Sequence, residues 1–190
     1  QRQRESIQAA VDFAQGFFVS QLFDAEEGKS IGLPYFKERG FTIETIKKWG
    51  LGYSPEAWEA LALHSKTKGF HADVMVQAGL LKLRENGTHY DLFRHRVMFS
   101  IYSVTGKVIA FAGRKMSSTD PSPKYVNSPE TELYKKSDVL FGLFQGKNAI
   151  KKADKVYMTE GYTDVITLSQ AGIENVVASG GTSLTPDQLR

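Results

Sequence analysis

The sequence predicts an α+β fold: a helical N-terminal lobe with a mostly antiparallel sheet, followed by the start of an α/β unit on parallel strands. Three observations predict it. Apolar residues recur at helical spacing, with cap and stop signals, up to residue 80. Alternating runs broken by Asn86-Gly87 and Thr105-Gly106 follow from Leu81 to Ala112. Beyond Lys155, two short apolar runs flank a helical stretch.

The chain has 190 residues, 41% hydrophobic and 24% charged, enough for one large or two small domains with genuine cores. No run is long enough to span a bilayer and no secretory signal opens the chain, so a cytoplasmic protein with no membrane partner is expected. Absence of cysteine excludes disulfides and thiolate zinc sites from these residues. His64, His71, His89 and His95 lack metal-ligand spacing.

Ile7, Val11, Ala14, Phe18 and Leu22 step by three and four, predicting an amphipathic helix over residues 5–23 whose apolar face is widened by Phe13, Phe17 and Phe23. Core packing, not base stacking, is the role expected of those rings. Asp24 to Ser30 is a polar break. Pro34 opens a short helix, Tyr35 to Arg39, that stops at Gly40. Thr42 caps the next, with Ile43, Ile46 and Trp49 as its apolar face. Ser54-Pro55 reads as a third helix start, leading into Trp58, Leu61 and Leu63. A fourth helix spans His71 to Gln77 and ends near Gly79.

Leu81 to Arg84 and Thr88 to Tyr90 read as a hairpin around Asn86-Gly87, a pair that readily takes the positive φ such turns need. Arg96 to Ser103 alternates, with Val97, Phe99 and Ile101 on one face and Met98, Ser100 and Tyr102 on the other. Lys107 to Ala112 returns after the Thr105-Gly106 turn.

Charge is concentrated here. Between Arg94 and Lys155 there are twelve Lys and Arg against five Asp and Glu, a surplus of seven in a chain whose net charge is +3. Arg94 and Arg96 are expected on one face at the start of a strand, with Arg114 following the return strand. Three guanidiniums converging on one side of a hairpin would suit phosphates. After the polar loop Ser117 to Ser122, Lys124 and Lys136 add cations, Tyr125 offers a stacking surface or a packed aromatic, and Asn127 is favoured as a turn former. A basic helix around Lys147 to Lys152 follows.

Val156, Tyr157 and Met158 then form a short strand ending at Thr159-Glu160-Gly161. A helix carrying Val165, Ile166 and Leu168 runs to Gly172, and Val176 to Ala178 forms a wholly apolar second strand, expected to be covered on both faces. Ligands of such sheets collect at the carboxyl ends of the strands, where Glu160 falls, and Asp164 sits at the helix start. Two carboxylates so placed suit a Mg²⁺ that keeps its waters and takes phosphate oxygens. Glu160-Gly161 and Asp164 alone also fit a turn and a helix-capping aspartate.

The longer stretches carry a resemblance. E-G-Y-T-D with V-V-A-S-G-G-T-S resembles the first half of a Toprim domain, in the version found in bacterial replicative primases of the DnaG type. F-R-H-R-V-M-F-S-I and G-K-V-I-A-F-A-G-R resemble that family's basic motif, with Ser100 where proline is usual and Ala110 and Ala112 where glycine is usual. P-K-Y-V-N-S-P-E-T-E-L-Y-K-K, Pro123 to Lys136, resembles its most specific signature. Y-F-K-E-R-G through G-Y-S-P resembles the segment leading into the core and is assigned packing.

The resemblance implies a primase RNA polymerase core: an N-terminal subdomain over 1–153 (helical lobe 1–80, basic sheet and loop 81–153) and a truncated Toprim subdomain over 154–190. Such an enzyme copies single-stranded DNA into short RNA primers at replication forks, from ribonucleoside triphosphates, beside a replicative helicase. A 3′-hydroxyl attacks the α-phosphate and pyrophosphate leaves, with Mg²⁺ or Mn²⁺ at the reacting oxygens. Glu160 would hold metal or accept the proton, with Asp164 in support; Arg94, Arg96, Arg114, Lys124, Tyr125, Asn127 and Lys136 would bind nucleotide and DNA. The family's Zn²⁺ domain is expected upstream of these residues, and its remaining metal-binding aspartates beyond Arg190. Asp187, after Pro186, is expected to cap a helix and not to replace them. The 190 residues alone should therefore bind single strands weakly and make no primer. Rival readings are another Toprim enzyme (nuclease or topoisomerase), a non-catalytic single-strand-binding module, and a phosphate loop at Ser179 to Ser183, which lacks the lysine of a P-loop.

Overall fold

A computed structural model of the chain describes residues 1–180 and 183–190. The predicted Ser179 to Ser183 loop includes Gly181 and Thr182, which lie outside the described residues.

The long helix α1 (Arg2–Asp24) buries the predicted stripe, Ile7, Val11, Ala14, Phe18 and Leu22. A turn of π-helix (Gly28–Gly32) replaces the expected polar break and runs into α2 (Leu33–Glu38). Thr42 caps α3 (Ile43–Lys48) as expected, its side chain accepting from Thr45 N over 3.1 Å. Next come β1 (Gly52–Ser54), α4 (Ala60–Thr67), α5 (Ala72–Gln77), and the hairpin of β2 (Leu81–Leu83) and β3 (His89–Asp91). The basic strands are β4 (Arg96–Tyr102), β5 (Val108–Lys115) and β6 (Tyr125–Asn127); α6 (Leu143–Ala153), β7 (Tyr157–Thr159), α7 (Tyr162–Gln170) and β8 (Val176–Ala178) complete the order.

A four-stranded antiparallel sheet, β1-β4-β5-β6, organises these elements. Its two faces build two cores, as alternation along β4 requires. Val97, Phe99 and Ile101 pack with Phe36, Trp49, Phe141, Tyr162 and Val165 on one side. Met98 and Phe111 pack with α1, Leu61 and Met75 on the other. Phe99 lies edge-on to Phe36 and Phe141 and stacks on Tyr162 at 5.6 Å. It therefore ties this face of the sheet to both α2 and α7, and truncating it to alanine would cost about 3–5 kcal/mol.

Several expectations need correction. Ser54 does not cap a helix. It ends β1, and its hydroxyl donates to Arg96 O over 3.1 Å while accepting from Arg96 N at 3.2 Å. Helix α4 starts only at Ala60, and Trp58, outside it, is 56% exposed. The helical lobe thus contributes a strand to the sheet. Asn127 lies in β6 and is paired with Ala112, so it forms no turn. Both short strands, β1 and β6, are sequence-distant edge partners of β4 and β5, which local periodicity does not register.

The strand–helix–strand unit has the expected parallel pairing of β7 with β8. Strand β8 is buried throughout, with Phe141 exchanging backbone hydrogen bonds with Ala178 along its other edge. Strand β7 is half open: Tyr157 is 47% and Met158 42% exposed.

Candidate functional site

The parallel register aligns Thr159 with Ala178, so Glu160 and Ser179 emerge side by side at the carboxyl end of the strand pair. Gly161 precedes α7, whose first turn holds Asp164. The Asp164 Oδ2 lies 3.4 Å from where a Cβ on Gly161 would sit, so that carboxylate folds back over the turn. Both acids are exposed. Among the described residues no hydrogen bond or ion pair engages either carboxylate.

Tyr162 joins this turn to the sheet. It is buried, packs on Phe99, Phe141 and Tyr125, and its hydroxyl accepts a 2.8 Å hydrogen bond from Asn127 Nδ2. Burial, opposed by the Asn127 hydrogen bond, raises the Tyr162 pKa. Tyr125 is packed between Phe99 and Tyr162, and burial, with Tyr35 beside it, pushes its pKa up to about 12. Of the two roles open to Tyr125, packing is the one it occupies. Tyr134, Asn127 and Lys136 line a small cleft with Tyr162, Ser179 and Gly180, which brings Lys136 to the strand end that carries Glu160.

The three predicted guanidiniums do not share a face. His95, at φ 51°, breaks the extended path between Arg94 and Arg96, so Arg94 lies outside β4. Register pairs Arg114 with Val97 and Arg96 with Lys115; since cross-strand partners share a face, Arg114 and Arg96 lie on opposite faces. Arg114 sits on the Tyr125 side, its guanidinium 4.9 Å from the Tyr35 ring centroid. Arg39 approaches the same ring at 4.7 Å. Two guanidiniums on one tyrosine, neither in an ion pair among the described residues, leave positive charge unneutralised beside the acidic turn's supporting face. The sequence assigns Arg39 to packing; only its approach to the ring that Arg114 also meets distinguishes it.

Arg96 is buried. Its Nη1 donates to Gly113 O, Pro123 O and Lys124 O at 3.0, 3.0 and 3.2 Å, and Nη2 donates to Ser122 Oγ at 2.9 Å. Lys124 itself is exposed, directly before β6.

Arg94 forms a separate feature. Its guanidinium lies 3.4 Å from the centroid of the Trp58 ring, Trp58 meets Tyr90 edge-on at 5.8 Å, and Arg84 covers Tyr90 at 5.0 Å. This row of alternating cations and rings includes Trp58, which the Ser54-Pro55 start signal places in a helix and the structure leaves outside one. Its signal in the sequence was weak, because only the late start of α4 turns the indole outward.

Exposed oxygen donors of this kind fit a hard divalent cation. Among the described residues no group of three or more His, Cys, Asp or Glu side chains is placed to hold an ion, so Glu160 and Asp164 would be partial ligands. Arg190 itself is a cation and adds no ligand: its Nη1 lies 3.4 Å from Asp187 Oδ1. Asp187 opens a single 3-10 turn (Asp187–Leu189) without a side-chain cap hydrogen bond, and its carboxylate faces Arg190. None of the described helices is long and apolar enough to cross a membrane.

Residues 154–190, the acid-tipped parallel unit, match the Toprim domain. Residues 17–147 match the DNA primase catalytic core, N-terminal domain, and the chain belongs to that primase family. The DNA primase of Halalkalibacterium halodurans is 40% identical over 190 residues, covering 100% of this chain and 31% of the relative. That of Synechocystis sp. is 42% identical, covering 98% and 29%. The RNA polymerase domain of Mycobacterium tuberculosis primase DnaG superposes with a TM-score of 0.91 at 35% identity, over 98% of this chain and 60% of that one. A DnaG primase catalytic domain bound to ssDNA superposes at 0.86 with 32% identity, over 99% and 57%. The chain thus spans about three tenths of the length of these curated relatives.

Proposed function

We propose that this chain supplies the template-binding and nucleotide-binding part of a DNA primase, with a boundary near residue 153 between its basic sheet and its Toprim unit. One observation carries the reading: the Asn127–Tyr162 hydrogen bond locks the basic face of the sheet to the turn that bears Glu160. Arg39, Arg114 and Lys136 then hold phosphates of the incoming ribonucleotide on the acidic side. The Arg84–Tyr90–Trp58–Arg94 row receives bases and phosphates of single-stranded DNA, since ring faces accept any base and guanidiniums follow the backbone. Lys124 contributes a phosphate contact beside β6.

Glu160 is the residue assigned to the chemistry, with Asp164 beside it. A Mg²⁺ or Mn²⁺ held by these oxygens would neutralise charge on the transferring phosphate. Similarity to a DnaG domain bound to ssDNA supports the template, and membership of the primase family supports ribonucleoside triphosphates as substrates.

The test is primer synthesis by the protein that carries these residues, measured with single-strand affinity in parallel. Glu160→Gln should abolish synthesis and leave oligothymidine binding within about twofold, because the acid belongs to the β7–α7 turn and not to the Trp58 row. Retained synthesis would instead make the segment a binding module with a dispensable acid.

A further inference from the structure

Arg96 and Lys115 face each other across β4 and β5, and neither directs its charge outward. Besides the four Arg96 hydrogen bonds, Lys115 Nζ donates to Asp120 O at 2.7 Å and to Ser122 O at 2.8 Å. Lys115 N donates to Lys124 O at 2.9 Å, and Asp120 Oδ1 accepts from Ser122 N at 2.8 Å. Two cations therefore gather the carbonyls of residues 120–124 into one point, and the loop leaves that point as Lys124-Tyr125. No carboxylate forms an ion pair with either cation among the described residues; the direct contacts are to main-chain carbonyls and Ser122, with the Asp120 carboxylate attracting both cations at longer range.

The sheet is shaped to permit this. A Cβ on Gly113 would come within 2.9 Å of Arg96 Cδ and 3.1 Å of Met98 Sδ, so only glycine lets the arginine stem cross the strand beneath it. Arg96 Nη1 donates to the Gly113 carbonyl as it passes.

We propose that Arg96 and Lys115 are positioning residues that clamp the 117–124 loop and so deliver Lys124 to the phosphate of a single strand, rather than phosphate contacts themselves. This rests on the phosphate role of Lys124 above. A planar fork with donors in fixed directions can hold Gly113 O, Pro123 O, Lys124 O and Ser122 Oγ together; an ammonium cannot reproduce that pattern. Direct contact and positioning differ in their salt dependence. A lost phosphate contact lowers the slope of log affinity against log salt by about 0.7 for a single strand. A lost clamp lowers it only through Lys124.

The experiment uses amide hydrogen exchange over residues 117–124 and oligothymidine binding across a salt series, on the parent chain, Arg96→Ala, Arg96→Lys, Lys115→Met, Lys124→Ala and the Arg96→Ala/Lys124→Ala pair. The clamp predicts faster exchange confined to 117–124 in all three Arg96 and Lys115 single variants. Arg96→Lys should restore little of the binding, and Arg96→Ala should add nothing once Lys124 is gone. Unchanged exchange in the loop would overturn the proposal. So would an Arg96→Ala loss that persists undiminished, with its own slope change, in the Lys124→Ala background. Should Lys124→Ala bind like the parent, the phosphate role of Lys124 falls and delivery falls with it, while exchange still reads the clamp. Arg96→Lys and Lys115→Met keep the measurement decisive if Arg96→Ala does not fold.

Discussion

Asn127, in β6, donates to the hydroxyl of Tyr162, the first residue of α7, across 2.8 Å and thirty-five positions of sequence. Tyr162 is buried and Asn127 half-buried, so the amide satisfies a hydroxyl that would otherwise be stranded. The pair binds the antiparallel sheet to the acidic turn two residues from Glu160. Tyr134 lies beside it, its hydroxyl 3.5 Å from the same amide nitrogen.

Tyr162→Phe keeps the ring packing against Phe99 and Phe141 but removes the acceptor. It should destabilise the fold by about 1 kcal/mol, the net worth of one buried hydrogen bond. Urea midpoints at constant m-value check this. A change in m instead would mean that the parallel unit has come away from the sheet as a separate unfolding step.

Replacing Trp58 by alanine should weaken oligothymidine binding by about 1–3 kcal/mol while leaving the salt slope unchanged, since a ring carries no charge. Arg94→Ala should weaken it and lower the slope by about 0.7. The two variants separate stacking from phosphate contact, and quenching of Trp58 emission by DNA reports the site directly. Equal affinity for the parent and both variants would remove this row from the interface.

Asp91 supplies the pH dependence. It is buried, its carboxylate accepts from Leu61 N and Ala62 N at 2.8 and 2.9 Å, and burial pushes its pKa up to about 6 against those hydrogen bonds and Arg94. Glu59 adds to the rise. A carboxyl group whose folded pKa is raised favours folding most when protonated, below its unfolded value near 4, and that contribution is lost as pH rises through about 6. Asp91→Asn should remove this dependence. The stability difference between parent and variant should therefore shift against the parent from pH 4 to pH 6, by on the order of 2 kcal/mol. Paired urea titrations across the window measure it, and a flat difference would mean that Asp91 titrates alike in the folded and unfolded chain.

Loss of Arg39 tests a residue found only through geometry. Arg39→Ala should lower ribonucleotide affinity, with a smaller effect on oligothymidine, because it lies on the Tyr35 side with Arg114 and not in the Trp58 row. Nucleotide binding followed by fluorescence anisotropy gives the comparison. An effect confined to DNA would reverse the assignment of the two basic groups.

Local pattern made much of this molecule legible in advance. The stripe Ile7, Val11, Ala14, Phe18 and Leu22, the Thr42 cap, the Asn86-Gly87 turn, the alternation of Val97, Phe99 and Ile101, and the placement of Glu160 after a parallel strand all follow from interactions within a few residues. Those interactions recur wherever the spacing recurs. Side-chain direction at the ends of strands is different, because it depends on partners far along the chain. Register with β5 put Arg114 on the other face of the sheet from Arg96, and the left-handed His95 released Arg94 to Trp58. The desolvated pocket beside Gly113 turned Arg96 from a surface cation into a clamp on carbonyls. A charge can be counted from sequence, but whether it meets water, a ring or a main-chain oxygen is decided by which surfaces fold against it.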